Sequence, residues 1–119
     1  MNSYQDLEVW KKSMELVKVV YTLVRSLPKE ETYALADQMR RSVISIASNI
    51  AEGYGRNSKN DFIRFLNISQ GSKCELETQL YACCMLGYIK EENTKNAFQL
   101  CRDIGKMLFG LSNKIKSGM

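Results

Sequence analysis

The strongest constraint on the fold of this chain is the spacing of its apolar residues, which recur at alternating steps of three and four. The first segment carries this series at Leu7, Trp10, Met14, Val17, Tyr21 and Val24. The last segment carries it at Ala97, Cys101, Ile104, Leu108, Leu111 and Ile115. Such steps match the period of an α-helix and not the two-residue period of a strand. No segment alternates convincingly, so the sequence predicts an all-α protein.

Glycine, proline and capping residues divide the chain into four predicted helices, at about 4–26, 29–53, 58–86 and 90–116. Two Ser-x-x-Asp boxes, starting at Ser3 and Ser58, mark helix starts. Pro28 suits a first helical turn, because a missing amide hydrogen costs nothing there. The predicted stops are Gly53, Gly55 and Gly87. A chain of 119 residues with such short connections predicts one domain, an up-down-up-down antiparallel four-helix bundle.

The chain has no histidine, and this absence removes several chemistries at once. The Ser-His-Asp and Cys-His systems, the commonest general base and most zinc sites all need an imidazole. We therefore expect no catalytic residue, no metal and no cofactor, and we expect the protein not to be an enzyme.

The cysteines and the apolar segments indicate a cytoplasmic protein without a membrane segment. The longest charge-free segment has twelve residues, Thr78 to Ile89, too few to span a bilayer. The first residues lack the pattern of a signal peptide. No Cys-x-x-Cys spacing occurs, so we expect the cysteines to be reduced and buried, behaving as small apolar residues. They are Cys74, Cys83, Cys84 and Cys101.

The net charge of +4 is concentrated at one end of the predicted bundle. That end, the basic pole, combines residues 1–12, 52–66 and 105–119. The first range is balanced, the second has a surplus of one positive charge and the third a surplus of three. The opposite end, residues 22–40 and 78–98, is neutral. The predicted contacts to RNA or DNA phosphates are Arg56, Lys59, Arg64, Lys106, Lys114 and Lys116. The alternative, without nucleic-acid binding, is that these lysines only interact favourably with the helix dipole and increase solubility.

The second predicted helix has unusually small side chains along residues 41–53, and apolar residues occupy most of its circumference. Such a helix is usually covered on more than one side. We therefore favour a homo-oligomer over tight packing inside a single bundle. The polar stripe expected at the interface consists of Ser45, Ser48 and Glu52.

Polar residues in the middle of helices two and three predict a buried network that fixes their register. An antiparallel hairpin centred near Asn57 sets Ser42 opposite Ser72 and brings Glu75 within reach of Arg40 or Arg41. We expect an ion pair there with a structural role. A carboxylate held by arginine stays ionised, so a catalytic acid–base role is disfavoured. The predicted network comprises Arg40, Arg41, Ser42, Asn49, Ser72 and Glu75.

These segments also carry a recognisable pattern. It runs through 48–53, Ser-Asn-Ile-Ala-Glu-Gly, then Gly55-Arg56, Phe62, Phe65-Leu66, Gly71-Ser72, Glu75-Leu76 and Leu86-Gly87-Tyr88. The opening Tyr4 to Lys11 fits as well. The chain resembles a family of four-helix-bundle proteins encoded in intervening sequences of bacterial large-subunit ribosomal RNA genes, with ribosomal-protein-like relatives. One departure is Ala47, where proline is common in the family; we expect a less kinked helix and little functional consequence.

The resemblance implies a homopentamer around a central channel and no enzyme activity. A related branch, the accessory variability proteins of retroelements, binds a reverse transcriptase and nucleic acid through a basic barrel. Two functions follow for this chain. The first is electrostatic binding of RNA or DNA at the basic pole, and the second is a protein-interaction scaffold that binds a partner protein and no nucleic acid.

Overall fold

The computed structural model describes residues 3–118, and its four long elements are all α-helices. We number them α1, Glu8–Leu23; α2, Leu35–Tyr54; α3, Lys59–Met85; and α4, Lys95–Lys116. Short 3-10 turns occupy Tyr4–Asp6, Val24–Ser26, Lys29–Glu31 and Glu91–Asn93. No strand occurs within residues 3–118, so the predicted all-α class is confirmed.

Three of the four predicted helices are shorter than expected, because their outer turns are 3-10 turns instead of α-helix. The clearest case is helix two, which was expected from residue 29 and begins at Leu35. Pro28 and the acidic residues after it support only one 3-10 turn, Lys29–Glu31. The chain then breaks at Ala34, and the Glu31 carboxylate accepts a hydrogen bond from the Leu35 amide (3.4 Å).

The structure agrees with some of the helix starts and stops predicted at serine and glycine and differs at others. Ser58 caps α3 by accepting a hydrogen bond from the Asp61 amide at 3.2 Å. Ser3 accepts from the Gln5 amide at 3.1 Å, one residue earlier than the box predicts. Gly87 ends α3 in a left-handed conformation, φ +77°. Gly53 does not end α2, which continues through it to Tyr54.

Specific residue pairs show that each helix runs against its neighbours in the opposite direction. Between α2 and α3, Ser45 meets Ser72 and Ile46 meets Ser69. Between α3 and α4, Gln70 donates to the Gly105 carbonyl, whereas Tyr81 packs on Phe98 farther along. Between α1 and α4, Lys12 lies 4.0 Å from Asp103, and Leu7 lines a cleft with Lys114. This is the pattern expected of an up-down-up-down bundle.

The interior is a continuous apolar core drawn from all four helices. The large side chains that are fully buried include Leu16, Met39, Ile46, Ile50, Leu66, Leu76, Leu80, Ile104 and Leu108. Phe62 and Trp10 pack against this core from its edges. The resulting body is elongated, 47 × 24 × 20 Å, so its two ends are well separated. Within residues 3–118 no helix is long and apolar enough to cross a membrane.

Candidate nucleic-acid interface

The contact between α2 and α3 is held in register by a small polar network. The Ser45 and Ser72 hydroxyls are 2.8 Å apart, and Asn49 Nδ2 donates to Ser45 Oγ at 2.9 Å. Ser69, which is fully buried, donates to the Ile46 carbonyl at 2.9 Å. The network thus includes the predicted Asn49 and Ser72. Ser72 reaches Ser45, nearly one turn from the predicted Ser42, because the hairpin centre lies slightly farther along the chain.

The predicted ion pair between Glu75 and Arg40 or Arg41 is wrong for this chain. Arg41 Nε instead pairs with Asp37 of its own helix at 3.0 Å, and Arg40 donates to the Thr32 carbonyl at 3.2 Å. Both arginines thus contact local partners, four and eight residues away along the chain. Glu75 is exposed and lines a shallow polar cleft with Arg41, without an ion pair in the part of the chain described.

The connection between α2 and α3 depends on an unusually close approach at Gly53. A Cβ atom at this position would lie 2.8 Å from Phe65 Cβ and 3.2 Å from the Phe62 carbonyl oxygen. Real Cβ atoms do not approach other atoms so closely, so only glycine fits without a shift of the helices. Gly53 therefore fixes where the residues that follow, including Arg56, lie against α3.

Two arginines flank one aromatic ring at this connection. The Arg56 and Arg64 guanidinium carbons lie 4.8 and 4.5 Å from the centroid of the Phe65 ring. Each arginine also has a carboxylate partner, Glu52 at 3.0 Å for Arg56 and Asp61 at 3.5 Å for Arg64. Cation–π contact and ion pairs hold the two guanidinium groups in place while both stay about half exposed.

The lysines of the predicted interface are free of such pairing. Within residues 3–118 no carboxylate lies within 4.0 Å of their ammonium groups. All four are exposed: Lys59, Lys106, Lys114 and Lys116. Lys59 begins α3, and Lys116 ends α4. Their charges are available to an external anion.

The structure separates Lys106 from the other predicted contacts. It lies about 15 Å before Lys116 along the helix axis, at roughly 1.5 Å per residue. The preceding residue, Gly105, accepts a hydrogen bond from Gln70, in the middle of α3. Lys106 is therefore a side-surface residue of the bundle, not a residue of its end.

Sequence reasoning missed an aromatic pair near the opposite end. The Tyr81 and Phe98 ring centroids are 4.6 Å apart, and Tyr81 is 61% exposed. They border a groove of about 770 Å³, which Lys95, Gln99 and Arg102 also line. The signal was present in the sequence, since Tyr81 directly follows the buried Leu80 and therefore lies off the apolar face of α3. Charge counting overlooked it because that end is neutral.

The polar stripe predicted for an oligomer interface is divided between two roles. Ser45 belongs to the α2–α3 network, whereas Ser48 is exposed and Glu52 is paired with Arg56. Tyr21 and Ile44 line a cleft with Ser45, and Met14 lies two turns before Tyr21 on α1; all three are about 40% exposed. We call these three residues, with Ser48 and Glu52, the α1–α2 face.

The cysteines are all free thiols, in two environments. Burial raises the pKa of Cys83 to about 11 and that of Cys101 to about 12. Both thiols therefore stay protonated at neutral pH and are inert. Cys84 is half-buried and Cys74 is exposed, which corrects the expectation that all four are buried.

Comparison with known proteins identifies the family. The model of the 23S rRNA-intervening sequence protein family matches residues 5–110. This chain belongs to that family. A solved structure from Bacteroides thetaiotaomicron, a protein of unknown function from the S23 ribosomal protein family, matches with a TM-score of 0.80 and 30% identity. The match covers 87% of this chain and 97% of that one. No curated protein matches significantly.

Membership of the intervening-sequence family confirms the resemblance drawn from the motif at 48–53 and the residues after it. The descriptions of the family and of the Bacteroides protein name no enzymatic activity. No group of three or more metal-ligating side chains occurs among residues 3–118.

Proposed function

We propose that this protein is a non-enzymatic, cytoplasmic helical bundle that binds RNA or DNA electrostatically through its basic pole. The observation that carries the proposal is the set of unpaired lysines at that pole, Lys59, Lys114 and Lys116, next to the Arg56–Phe65–Arg64 cluster. A phosphate backbone is the common biological polyanion that such a surface fits. Phosphate contacts position a nucleic acid without reading its bases, so binding should be weakly selective for sequence.

The proposal includes assembly of several copies through the α1–α2 face. Two of its exposed apolar residues, Met14 and Tyr21, belong to α1, and the third, Ile44, belongs to α2, the helix of small side chains for which we expect a neighbour. The resemblance described above implies a pentamer. If five copies aligned their poles around one axis, about +20 would lie at one rim, a summed field that attracts phosphates.

Assembly is tested by light scattering on the wild type and on Ile44→Glu. We expect the wild type to be a multimer and the variant to have a lower mass, because a charge would be buried at the interface. Ile68→Glu is the matched control, since Ile68 is similarly exposed on α3. A monomeric wild type, or a variant of unchanged mass, would contradict this part of the proposal.

Nucleic-acid binding is tested by a gel shift at low salt with the double variant Arg56→Glu/Lys114→Glu. We expect much weaker retention, because two attractive charges at the pole become repulsive. The control, Arg25→Glu/Lys29→Glu, makes the same change in net charge at exposed positions of the opposite end. Equal retention of the nucleic acid by the two variants would contradict the assignment of binding to the basic pole.

The second candidate function, a protein-interaction scaffold without nucleic-acid binding, is favoured by the apolar α1–α2 face alone. If wild-type protein binds neither RNA nor DNA at low salt, while its assembly depends on Ile44, the scaffold is the better description.

A further inference from the structure

The outer face of α4 carries an uninterrupted line of exposed residues that are basic, amide or aromatic. They follow each other at steps of four and three, so they form one straight stripe, which we call the α4 stripe. It contains Lys95, Gln99, Arg102, Lys106, Phe109, Asn113 and Lys116. It extends about 32 Å at roughly 1.5 Å per residue, nearly the length of the helix. No stripe position holds an acidic residue.

The charges of the stripe are accessible. Arg102 donates to Gln99 at 2.8 Å, a contact that orients the guanidinium without neutralising it. Gln99 in turn donates to Asp103 at 2.9 Å, and Asp103 lies 4.0 Å from Lys12, which balances it. Within the described chain, no carboxylate pairs with Lys95, Lys106 or Lys116. The four positive charges of the stripe therefore extend from the basic pole to the end of the bundle whose summed charge is zero.

Two aromatic features lie along this line. Phe109 is 67% exposed, an unusual position for a phenylalanine. At the other end, Phe98 packs against the core and holds the exposed Tyr81 ring at a centroid distance of 4.6 Å. The groove beside this pair has about 770 Å³, a volume suited to a small ligand such as a nucleotide, and Arg102 and Gln99 line it.

We infer that the α4 stripe is a track for a single, unpaired nucleic-acid strand, with bases stacking on Phe109 and on the Tyr81–Phe98 pair. Cations that follow the backbone and exposed rings that stack unpaired bases are the two parts of a sequence-tolerant single-strand site. In a duplex the base faces are already stacked, so the rings would add nothing. The charge complementarity of four cations without a stripe carboxylate favours a polyanion over a peptide. One carboxylate, Glu91, also lines the groove. This inference rests on the proposed function and deepens it.

The test measures fluorescence anisotropy of labelled oligouridine, which has no stable pairing, and of a fully paired hairpin of equal charge. We expect Phe109→Ala and Tyr81→Ala each to weaken oligouridine binding about fivefold or more, with little effect on the hairpin and an unchanged salt slope. Phe109→Trp should retain binding, because its ring also stacks. Arg102→Glu/Lys106→Glu should weaken oligouridine binding about tenfold or more and reduce the salt slope. The control is again Arg25→Glu/Lys29→Glu.

The outcomes separate this inference from the proposed function. If Arg56→Glu/Lys114→Glu weakens binding while the stripe variants bind like wild type, binding at the basic pole is supported and the α4 stripe is not a single-strand track. If the aromatic variants lose hairpin and oligouridine binding equally, the stacking role is overturned. If the wild type binds neither probe at low salt, the proposed function fails, and the inference fails with it.

Discussion

Gly53 lies so close to Phe65 that α2 and α3 leave no room for a Cβ atom at position 53, which would lie 2.8 Å from Phe65 Cβ. We expect Gly53→Ala to lower the free energy of unfolding by about 1–3 kcal/mol, because overpacking must push the helices apart. Urea denaturation followed by circular dichroism measures this.

The matched control is Gly71→Ala, also inside a helix but with nothing within 4 Å of the added methyl group. It should raise stability by about 0.5–1 kcal/mol, because alanine favours the helix. Equal effects of the two substitutions would mean that the close approach at Gly53 is unimportant.

The α2–α3 network predicts which polar residue matters to stability. Ser72→Ala should cost about 1 kcal/mol, since Ser72 is buried and 2.8 Å from the Ser45 hydroxyl. Glu75→Gln should change stability by less than about 0.5 kcal/mol, because Glu75 is an exposed residue without an ion pair in the described chain. If thermal melts instead showed a larger loss of stability for Glu75→Gln than for Ser72→Ala, the result would support the ion pair between Glu75 and an arginine that the sequence predicts.

The two classes of cysteine predict a labelling pattern. At pH 7.5 iodoacetamide should modify Cys74 readily and leave Cys83 and Cys101 untouched, because burial raises the pKa of both thiols and excludes the reagent. Peptide mass spectrometry identifies the modified positions, and the unfolded chain, in which all four should react, is the control. Rapid modification of Cys83 in the folded protein would show that the core opens there.

Tyr88 links the two loops at the neutral end, because its hydroxyl donates to Glu31 at 3.0 Å. This hydrogen bond, with burial and the charge of Glu31, raises the pKa of Tyr88. The neutral phenol is thus favoured in the folded state, so its contribution is complete below the unfolded pKa of about 10 and is lost as pH rises above it.

Wild type should therefore be more stable than Tyr88→Phe at pH 7, and the difference should shrink above about pH 10. Midpoints of urea unfolding across pH 7–11 measure it, and taking the difference removes the other five tyrosines. A difference that stays constant with pH would mean that the Tyr88–Glu31 bond contributes nothing.

Periodicity was sufficient to predict four helices, because apolar spacing and burial share one physical cause. It did not predict the 3-10 turns at Lys29–Glu31 and Glu91–Asn93. Residues that favour a helix occur there, but local hydrogen bonds interrupt the chain before the α-helix that follows. Gly53 shows a second limit: a glycine that ends a helix and one that permits close packing look the same in sequence.

The candidate site shows a third limit. Charge counting by range found the unpaired lysines of the basic pole. It could not find the α4 stripe, since Glu91 and Glu92 offset Lys95 in the count and Arg102 lies outside the counted ranges. The Arg41–Asp37 pair was missed because a partner one turn away competes with one across the hairpin.

The most direct test of electrostatic binding at the basic pole is a salt titration of wild-type protein with labelled RNA. Counterion release predicts that the logarithm of the binding constant falls linearly and steeply with the logarithm of salt concentration, and less steeply for Lys114→Glu. Binding with no dependence on salt, or no binding at the lowest salt concentration, would contradict the account.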